Sequence, residues 1–377
     1  MRIIARMNVG GPARQVSGLM RGLDQNRFEQ RLYTGQVGDD ETDHLALSAP
    51  DIEARFVPGL GRSVRPLADA EAFAVLLREM RAFRPHIVHT HTAKAGALGR
   101  LAAVATRVPA IVHTFHGHLL QGSFSAGRTR VIAAVERLLA RSADRLLSVG
   151  AQVRDDLVAA GIGRADQYTV MPPGTFVGTP PGREEARRAL GLPARGPVVS
   201  FVGRLTAVKR PDRLVEVARI VLDKRPDARF VVCGEGDLLD VVREAEAELG
   251  GALTLVGFRP DVETVYAASD VTLLTSDTEG MPLSLIEAGM VGVPAVATRV
   301  GSVSEVVVDG RTGLLADTAA PELAGHVLQF LDDPALCDAM GAAAKEWTTT
   351  RFGVARLVAD TETVYTEIAR ARGWRSA

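Results

Sequence analysis

Two short runs of the chain carry six of its eight histidines in the same spacing. Residues 86–91 read HIVHTH and residues 113–118 read HTFHGH, so both follow the pattern H-x-x-H-x-H. Alternate residues of a β-strand share one face, so the last two histidines of each run are expected to point together if the strand continues that far. Such a cluster could bind a metal, supply one catalytic imidazole, or end two strands in hydrogen-bonded rings.

Each of these three interpretations makes a different demand on the neighbouring residues. A zinc site would need a carboxylate or thiolate near the imidazoles, and neither run has an acid or a cysteine close by, which disfavours a metal. Hydrogen-bonded strand ends account most simply for most of the six histidines. One working imidazole is the third interpretation. Gly117 favours His116 for that role, because a glycine lets the chain turn sharply beside the ring.

The stretch SDTEGMPLSLIEAGMVGVP, residues 276–294, predicts a helix start that binds an anion. We expect the helix to begin at Pro282, because proline suits the first helical position, where its missing N–H costs nothing. The amides of Leu283 and Ser284 would then point out of the helix without intrahelical partners. Unpaired amides at a helix N-terminus form a site for phosphate.

Two carboxylates flank those amides. Glu279 precedes the expected helix, and Glu287 lies one turn into it. A carboxylate repels a phosphate, but it accepts hydrogen bonds from the hydroxyl groups of a sugar. Phosphate-binding amides between two such acceptors suit a sugar nucleotide. The alternative is an acidic first turn that only complements the helix dipole.

Two cations follow a predicted strand in FVGRLTAVKRPD, residues 201–212. Arg204 and Lys209 come after the end of that strand at Gly203, where they could bind a diphosphate and stabilise charge on a leaving group. The plainer alternative is a pair of solvated surface cations.

A glycine pair follows the first predicted strand in NVGGPARQVSGL, residues 8–19. Gly10 and Gly11 would let a ligand or another backbone segment approach closely, before a helix that is expected from Pro12. The spacing is not the G-x-G-x-x-G of dinucleotide-binding loops, so the pair alone does not identify a nucleotide.

Short β-rich runs alternate with amphipathic stretches along the chain, as in parallel sheets with helical crossovers. Seven runs in the first half are predicted strands: RIIARM, RLYTG, ARFVPG, HIVHTH, AIVHTF, RLLSV and YTVMP. Six follow in the second half: VVSFVG, ARFVVCG, LTLVGF, VTLLTS, PAVATRV and TGLLA. The sequence therefore predicts an α/β fold of two tandem Rossmann-like, doubly wound parallel-sheet domains, with ligands at the carboxyl ends of the strands and in an interdomain cleft.

A segment rich in Pro and Gly, residues 172–197, interrupts this alternation and is expected to link the domains. We place the N-terminal Rossmann-like domain at residues 1–175 and the C-terminal one at residues 176–352. Residues 353–377 are expected to form a last helix that packs back towards the N-terminal domain.

The composition and charge of the chain limit which classes of protein it can belong to. No export signal and no run of about 18 apolar residues is present, so we expect a cytoplasmic protein without a membrane-spanning helix. Cys233 and Cys337 form no C-x-x-C motif, which fits a reducing compartment. Residues 1–175 carry 22 basic against 16 acidic side chains, although the net charge of the chain is −1. This excess would suit an anionic ligand, and it would allow transient peripheral contact with the inner face of a membrane.

Together these motifs resemble those of the retaining GT-B-fold glycosyltransferases of family 4, the glycosyl transferases group 1. The resemblance covers almost the whole chain. It rests on NVGGPARQV, HTFHGH, GRLTAVK, GFRPDV, the two glutamates eight positions apart and EAGMVGVPAVATRVGSVSEVVVDGRTGLL. It implies that the first domain binds an acceptor and the second a nucleotide-diphosphate sugar. The glycosyl group would pass to a hydroxyl with retention at the anomeric carbon.

The resemblance also implies roles for individual residues. Arg204 and Lys209 match the cations that hold the diphosphate, while Glu279 and Glu287 match acids near the sugar and ribose hydroxyls. His116 matches a histidine beside the transferred sugar and counts as catalytic with Arg204, Lys209 and Glu279. The residues that match donor-binding positions are Gly11, Arg204, Lys209, Arg259, Glu279, Gly280, Met281, Leu283, Ser284 and Glu287.

Two departures from the family's pattern stand out. Residues 171–177, MPPGTFV, lack the Asn and Asp that many members carry near the linker, which puts a donor or hinge role for this segment in doubt. Pro282 stands where glycine is frequent, so one amide donor is missing there. Cations and amides can stabilise the departing diphosphate, so no metal and no other cofactor is expected.

The expected donor is UDP-GlcNAc or UDP-glucose, and the expected acceptor is a carbohydrate, lipid-linked or small-molecule hydroxyl. No nucleic-acid partner is expected, and the sequence does not predict an oligomeric state. Three alternatives remain open. They are a sugar-nucleotide epimerase of the same fold, a metal-dependent hydrolase that uses the histidine cluster, and a non-catalytic binder of sugar nucleotides.

Overall fold

The computed structural model describes residues 1–38, 41–61, 63–117 and 126–374. His118, the last residue of the second histidine run, lies outside these residues. The chain divides into two compact units. Unit 1 comprises Met1–Thr175 and Val354–Ala377, and unit 2 comprises Phe176–Gly353.

Unit 1 is built on one parallel sheet. Its strands are β1 (Arg2–Arg6), β2 (Leu32–Gly35), β3 (Ala54–Phe56), β4 (Ile87–His91), β5 (Ala110–Phe115), β6 (Arg145–Ser148) and β7 (Tyr168–Val170). Their order is β3-β2-β1-β4-β5-β6-β7, and each neighbouring pair is parallel. All seven strands predicted for the first half are confirmed. Most of them are apolar runs bounded by turn residues and buried between helical layers, whereas the edge strand β3 is mostly exposed.

The helices of unit 1 are α1 (Gly11–Gly22), α2 (His44–Ser48), α3 (Pro66–Phe83), α4 (Ala93–Ala105), α5 (Ala126–Ala140), α6 (Ala151–Ala159) and α15 (Val354–Ala371). The last helix of the chain, α15, packs against α1. Leu357 and Val364 of α15 share a buried cluster with Leu19 of α1 and with Val112 of β5, so this helix covers part of the sheet of unit 1.

Unit 2 has a second parallel sheet. Its strands are β8 (Val198–Val202), β9 (Arg229–Cys233), β10 (Leu253–Gly257), β11 (Val271–Leu274), β12 (Ala295–Thr298) and β13 (Gly313–Ala316). Their order is β10-β9-β8-β11-β12-β13, which within the unit is the 3-2-1-4-5-6 order of a Rossmann sheet. The predicted fold class is confirmed: the chain has two tandem Rossmann-like, doubly wound α/β units.

The helices of unit 2 are α7 (Arg183–Ala189), α8 (Pro211–Lys224), α9 (Leu239–Glu248), α10 (Val262–Ala268), α11 (Leu283–Val291), α12 (Val303–Val306), α13 (Ala320–Asp332) and α14 (Pro334–Phe352). Three of these helices, α2, α12 and α14, were not predicted from the sequence. Alanines and threonines lie on all sides of α14, so the sequence shows no apolar stripe, and the helix is held by packing on α11. No helix in the described part of the chain is long and apolar enough to cross a membrane.

Candidate functional site

The sheet of unit 2 changes direction between β8 and β11. The chain moves from β8 towards β9 on one side and returns to β11 on the other. The loops that leave the carboxyl ends of β8 and β11 therefore diverge, which opens the crevice where such sheets bind ligands. Arg204 and Lys209 follow β8, and Glu279 follows β11, so the topology places these predicted site residues at one crevice.

Lys209 and Glu279 form an ion pair at this crevice, although they are 70 positions apart. The ammonium group of Lys209 donates to Oε1 of Glu279, and the same oxygen accepts a hydrogen bond of 2.6 Å from Oγ of Ser276. The side chains of Lys209 and Glu279 are 18% and 10% exposed, so the pair is largely desolvated but open to a ligand. Both residues were predicted from the sequence as site residues, but their pairing was not.

Further contacts tie the loop after β8 to the loop after β11. The amide of Asp277 donates to the carbonyl of Val208 at 2.9 Å, and the hydroxyl of Thr275 donates to the carbonyl of Lys209 at 2.8 Å. The buried guanidinium of Arg213 donates to the carbonyl of Thr275 at 2.5 Å. These bonds fix the backbone that carries the ion pair. Ser276 and Thr275 were not predicted as site residues. The sequence signal that could have indicated them is their position directly after a buried strand.

The backbone around Arg204 is held by the loop that follows β9. The amides on either side of Arg204 donate to the carbonyls of Cys233 and Glu235 at 3.0 and 2.8 Å. A Cβ atom at Gly234 would lie 1.9 Å from the carbonyl oxygen of Gly203, so only glycine permits this approach. The side chain of Arg204 is exposed, and no group in the described ranges pairs with it. The arginine is therefore positioned by its backbone and available to an anion.

The helix that follows β11 and its loop is α11, and it begins one residue later than predicted. Pro282 precedes the helix as its N-cap with an extended ψ of 104°, and Leu283 is the first helical residue. The carbonyl of Pro282 accepts from the amides of Leu285 and Ile286 at 3.2 and 3.3 Å. Leu283 and Ser284 occupy the first two helical positions, where an amide has no intrahelical acceptor. The correction therefore keeps both amides as candidate phosphate ligands.

The other predicted donor residues of unit 2 lie in α11, in the loop before α11, and after β10. Glu287 lies at the middle of α11, one turn after its start, and is 4% exposed. Gly280 and Met281 are half-buried in the loop before α11, and Met281 packs on a core cluster. Arg259 follows β10, two strands away from β8, and donates to the carboxylate of Asp261 at 2.6 Å. The roles of these residues stay predictions.

The histidines of unit 1 form a buried hydrogen-bonded cluster. His89 and His91 stack with ring centroids 4.3 Å apart, so the expectation that they point together is confirmed. Nε2 of His89 lies 2.7 Å from the hydroxyl of Thr114, and Nδ1 of His91 lies 3.0 Å from Nε2 of His116. The interpretation as hydrogen-bonded strand ends is confirmed for His89 and His91.

Burial sets the charge of these rings. It lowers the pKa of His116 to about 4 and the pKa values of His89, His91 and His113 well below their usual range. The four rings are therefore neutral near pH 7. Among the described residues, no group of three or more His, Cys, Asp or Glu side chains is arranged to hold a metal ion.

The sheet of unit 1 changes direction between β1 and β4. Gly11, a predicted donor residue, opens α1 directly after the loop that follows β1. Thr92 follows β4 with φ 67° and ψ 157°, a backbone conformation that is strained for any residue but glycine. Its hydroxyl accepts from the amide of Ala5 at 3.3 Å, which ties the strained residue to β1. Such strain at a direction change marks a second candidate ligand-binding edge.

Comparison with known families accounts for nearly the whole chain. The family described as Glycosyl transferases group 1 matches residues 182–347, and the Glycosyl transferase 4-like domain matches residues 10–174. The D-inositol 3-phosphate glycosyltransferase of Corynebacterium diphtheriae is 31% identical over 374 residues, which cover 93% of this chain and 86% of that protein. The UDP-Gal:alpha-D-GlcNAc-diphosphoundecaprenol alpha-1,3-galactosyltransferase of Escherichia coli is 26% identical over 355 residues, covering 92% and 91%.

Solved structures with a similar fold extend over both units. Sucrose-phosphate synthase from Thermosynechococcus elongatus aligns with a TM-score of 0.82 at 22% identity, covering 98% of this chain and 99% of that chain. The Anabaena protein Alr3699/HepE, solved in complex with UDP, aligns with a TM-score of 0.80 at 21% identity, covering 97% and 99%.

Proposed function

The chain belongs to the glycosyl transferases group 1 and is a glycosyltransferase, and from this premise we propose that it transfers a sugar from UDP-GlcNAc or UDP-glucose to a hydroxyl with retention. Unit 2 binds the nucleotide sugar at the crevice between β8 and β11, and unit 1 binds the acceptor. The observation that carries the proposal is the ion pair of Lys209 with Glu279 in the loop that leads into α11, whose first amides have no intrahelical acceptor.

The chemistry of those groups matches the charges of a nucleotide-diphosphate sugar. The amides of Leu283 and Ser284 and the cations Arg204 and Lys209 bind the diphosphate oxygens. Glu279 cannot approach a phosphate without repulsion, so it accepts hydrogen bonds from sugar hydroxyls beside the phosphates. Glu287 and Arg259 contact the ribose and the border of the base.

The transfer step follows from this arrangement. The bond between the anomeric carbon and the diphosphate oxygen breaks, and its electron pair leaves with the diphosphate. Arg204, Lys209 and the amides of α11 stabilise the negative charge that develops on the diphosphate. Because these groups supply that stabilisation, the step does not require a metal ion. The acceptor hydroxyl attacks from the side of the leaving group, and a phosphate oxygen takes its proton. His116 hydrogen-bonds the transferred sugar during this step.

The proposal of a uridine nucleotide has support from one relative. The Escherichia coli protein is named for UDP-Gal as its donor and for a diphosphoundecaprenol-linked acceptor. A lipid-linked acceptor would require this enzyme to work at a membrane surface.

One face of unit 1 supports contact with such a surface. Half of the exposed large apolar side chains in the described part of the chain lie on the neighbouring helices α4 and α5: Leu101, Val104, Val131, Val135 and Leu138. The last three follow the spacing of one helix face, so they form a continuous stripe along α5. Val131 and Leu138 are 64% and 63% exposed.

The charges beside this stripe are basic. Arg130, Arg137 and Arg141 are exposed on the adjoining face. The acid of α5, Glu136, is buried in an ion pair with Arg100 and does not offset them. Apolar side chains flanked by arginines bind the boundary of an anionic lipid layer. We propose that the α4–α5 face rests on an anionic membrane.

Vesicle co-sedimentation tests this contact. The wild-type protein should sediment with phosphatidylglycerol vesicles and not with phosphatidylcholine vesicles. The double substitution Val131→Ser and Leu138→Ser should reduce binding about tenfold or more, while Leu47→Ser, an exposed apolar change on α2, should not. Wild-type protein that ignores anionic vesicles, or that dimerises through this face in solution, contradicts the proposal.

A product assay tests the transfer itself. The enzyme is incubated with UDP-GlcNAc, UDP-glucose and UDP-galactose, each with a lipid-linked or a soluble sugar acceptor, and the products are identified by mass spectrometry. We expect UDP and a glycosylated acceptor with an α-linkage from an α-linked donor, in the presence of EDTA. An inverted linkage would refute retention. A sugar nucleotide epimerised in the absence of acceptor would support the epimerase alternative instead.

A further inference from the structure

A buried arginine lies at the inner end of the histidine cluster of unit 1. Arg2 belongs to β1 and is 4% exposed. Its Nη1 lies 3.2 Å from Nδ1 of His89 and 3.5 Å from Nε2 of His91, and its Nη2 lies 3.5 Å from the side-chain oxygen of Gln30. Within the described ranges, no carboxylate pairs with this guanidinium. A permanent cation is therefore held against two neutral imidazoles.

This cation decides which nitrogen of His91 carries the proton. A guanidinium has only N–H donors, and it stays charged at all ordinary pH values. If Nε2 of His91 carried the proton, two donors would face each other beside a positive charge. The arrangement is favourable only when Nε2 presents its lone pair to Arg2. The neutral ring of His91 then carries its proton on Nδ1.

The constraint passes from His91 to His116. Nδ1 of His91 lies 3.0 Å from Nε2 of His116, so a proton on this Nδ1 is donated to that Nε2. His116 is then an acceptor at Nε2, and its own proton lies on Nδ1. We propose that Arg2, acting through His91, fixes His116 in the Nδ1–H tautomer, so that His116 offers a ligand a hydrogen-bond donor and not a base.

The Nδ1–H tautomer gives His116 a defined role as a hydrogen-bond donor. This inference rests on the proposed function only in that it takes the ligand of His116 to be the transferred sugar. His116 is half-buried, and no group in the described part of the chain bonds its Nδ1. An Nδ1–H there would donate to a sugar hydroxyl oxygen. It would not remove the acceptor's proton, which is consistent with transfer of that proton to the phosphate. Arg2 and His91 are thus positioning residues.

The tautomers can be measured directly by ¹⁵N NMR on wild-type protein labelled at histidine. Two-bond correlations between ring nitrogens and carbon-bound protons separate the Nδ1–H from the Nε2–H form. We expect both His91 and His116 as Nδ1–H near pH 7. His116 in the Nε2–H form overturns the inference, whatever reaction the enzyme performs.

Substitutions at Arg2 test the source of the constraint. Arg2→Met removes the guanidinium and keeps much of the volume, and Arg2→Lys keeps a buried cation. A folded Arg2→Met protein should show mixed tautomers at His91 and His116, while Arg2→Lys keeps the wild-type pattern. An unchanged tautomer at His116 in folded Arg2→Met refutes the role of Arg2.

Amide substitutions test the same chain of bonds if Arg2→Met does not fold. The amide of asparagine takes the place of Nδ1, and that of glutamine the place of Nε2. His91→Asn should therefore keep the His116 tautomer better than His91→Gln. His116→Asn should likewise keep at least tenfold more kcat than His116→Gln, with a small change in KM for the acceptor. The reverse order at either position contradicts the inference. Full turnover by both His116 variants would refute the proposed role of His116 in transfer, while the NMR result still decides the tautomer.

Discussion

The pairing of Lys209 with Glu279 predicts that the two residues affect nucleotide binding in opposite directions. Without a ligand, the carboxylate of Glu279 neutralises the ammonium group that should hold the diphosphate. Lys209→Met removes a charge-assisted bond to the diphosphate and should weaken binding of UDP. Glu279→Gln keeps an oxygen that can accept from Lys209 and Ser276 but removes the negative charge. It should therefore leave binding of UDP unchanged or tighten it.

The structure sets the size of both effects. A hydrogen bond to a charged group contributes about 1.5–3 kcal/mol, so Lys209→Met should weaken binding of UDP about 10- to 150-fold. Two opposite charges in contact near a surface attract by about 4 kcal/mol before desolvation. Because the two side chains are 18% and 10% exposed, solvent and desolvation reduce the net effect, and about 1 kcal/mol remains. Glu279→Gln should accordingly tighten binding of UDP up to about fivefold.

Calorimetric titration with UDP and with UDP-sugar separates the two roles. For Glu279→Gln, affinity for UDP is kept or improved, while turnover of the UDP-sugar falls about 10- to 100-fold, because the acceptor for the sugar hydroxyls is weaker. The reasoning is refuted if Glu279→Gln weakens binding of UDP as much as Lys209→Met does. It is also refuted if the double variant shows two independent, additive losses.

Three further predictions concern the scaffold. Arg100→Met should destabilise unit 1 by about 3–5 kcal/mol, measured by urea unfolding, because it leaves the buried carboxylate of Glu136 unpaired. Gly234→Ala should lower stability and donor affinity together, because its Cβ would collide with the backbone that carries Arg204, whereas Gly325→Ala in α13 meets open space and should stabilise by up to about 1 kcal/mol. The melting temperature should fall as the pH drops from about 6.5 towards 4. Burial lowers the pKa of His116 to about 4, so the unfolded chain binds protons that the folded one does not.

The prediction for Arg100 has a matched control. Arg164→Met breaks an exposed ion pair with Asp166 and should leave the urea midpoint of unfolding nearly unchanged. Similar losses for Arg164→Met and Arg100→Met would contradict the buried-pair argument. Normal donor affinity in a folded Gly234→Ala protein would contradict the placement of Arg204 by that loop. A melting temperature that stays flat down to pH 4.5 would contradict neutral, buried histidines.

The sequence predicted the strands well because most of them are buried apolar runs bounded by turn residues, as in β5 and β11. It also indicated the free amides of α11. It placed the start of that helix at Pro282, however, because proline favours the first helical position. In the structure, the loop before the helix is fixed elsewhere: the carbonyl of Glu279 accepts from the amide of Ser302 at 3.3 Å. Pro282 itself has an extended ψ and lies at the N-cap position, one residue before the helix.

What the sequence could not give is pairing between distant residues. Lys209 contacts Glu279 because β8 and β11 are neighbours in the sheet. Neither local sequence motif predicts the order of the strands, so neither could predict this contact. The contact of His91 with His116 likewise depends on β4 and β5 lying side by side. Arg2 was not predicted as a functional residue, because a single arginine in a strand belongs to no recognisable motif. Only its burial against two imidazoles shows its role.

The central claim is that the crevice between β8 and β11 of unit 2 holds the donor diphosphate. A crystal structure with UDP bound tests it most directly. The claim predicts diphosphate oxygens within about 3.2 Å of the amides of Leu283 and Ser284 and of Nζ of Lys209, with the ribose at Glu287. A nucleotide bound away from α11, with Lys209 still paired only to Glu279, would contradict it.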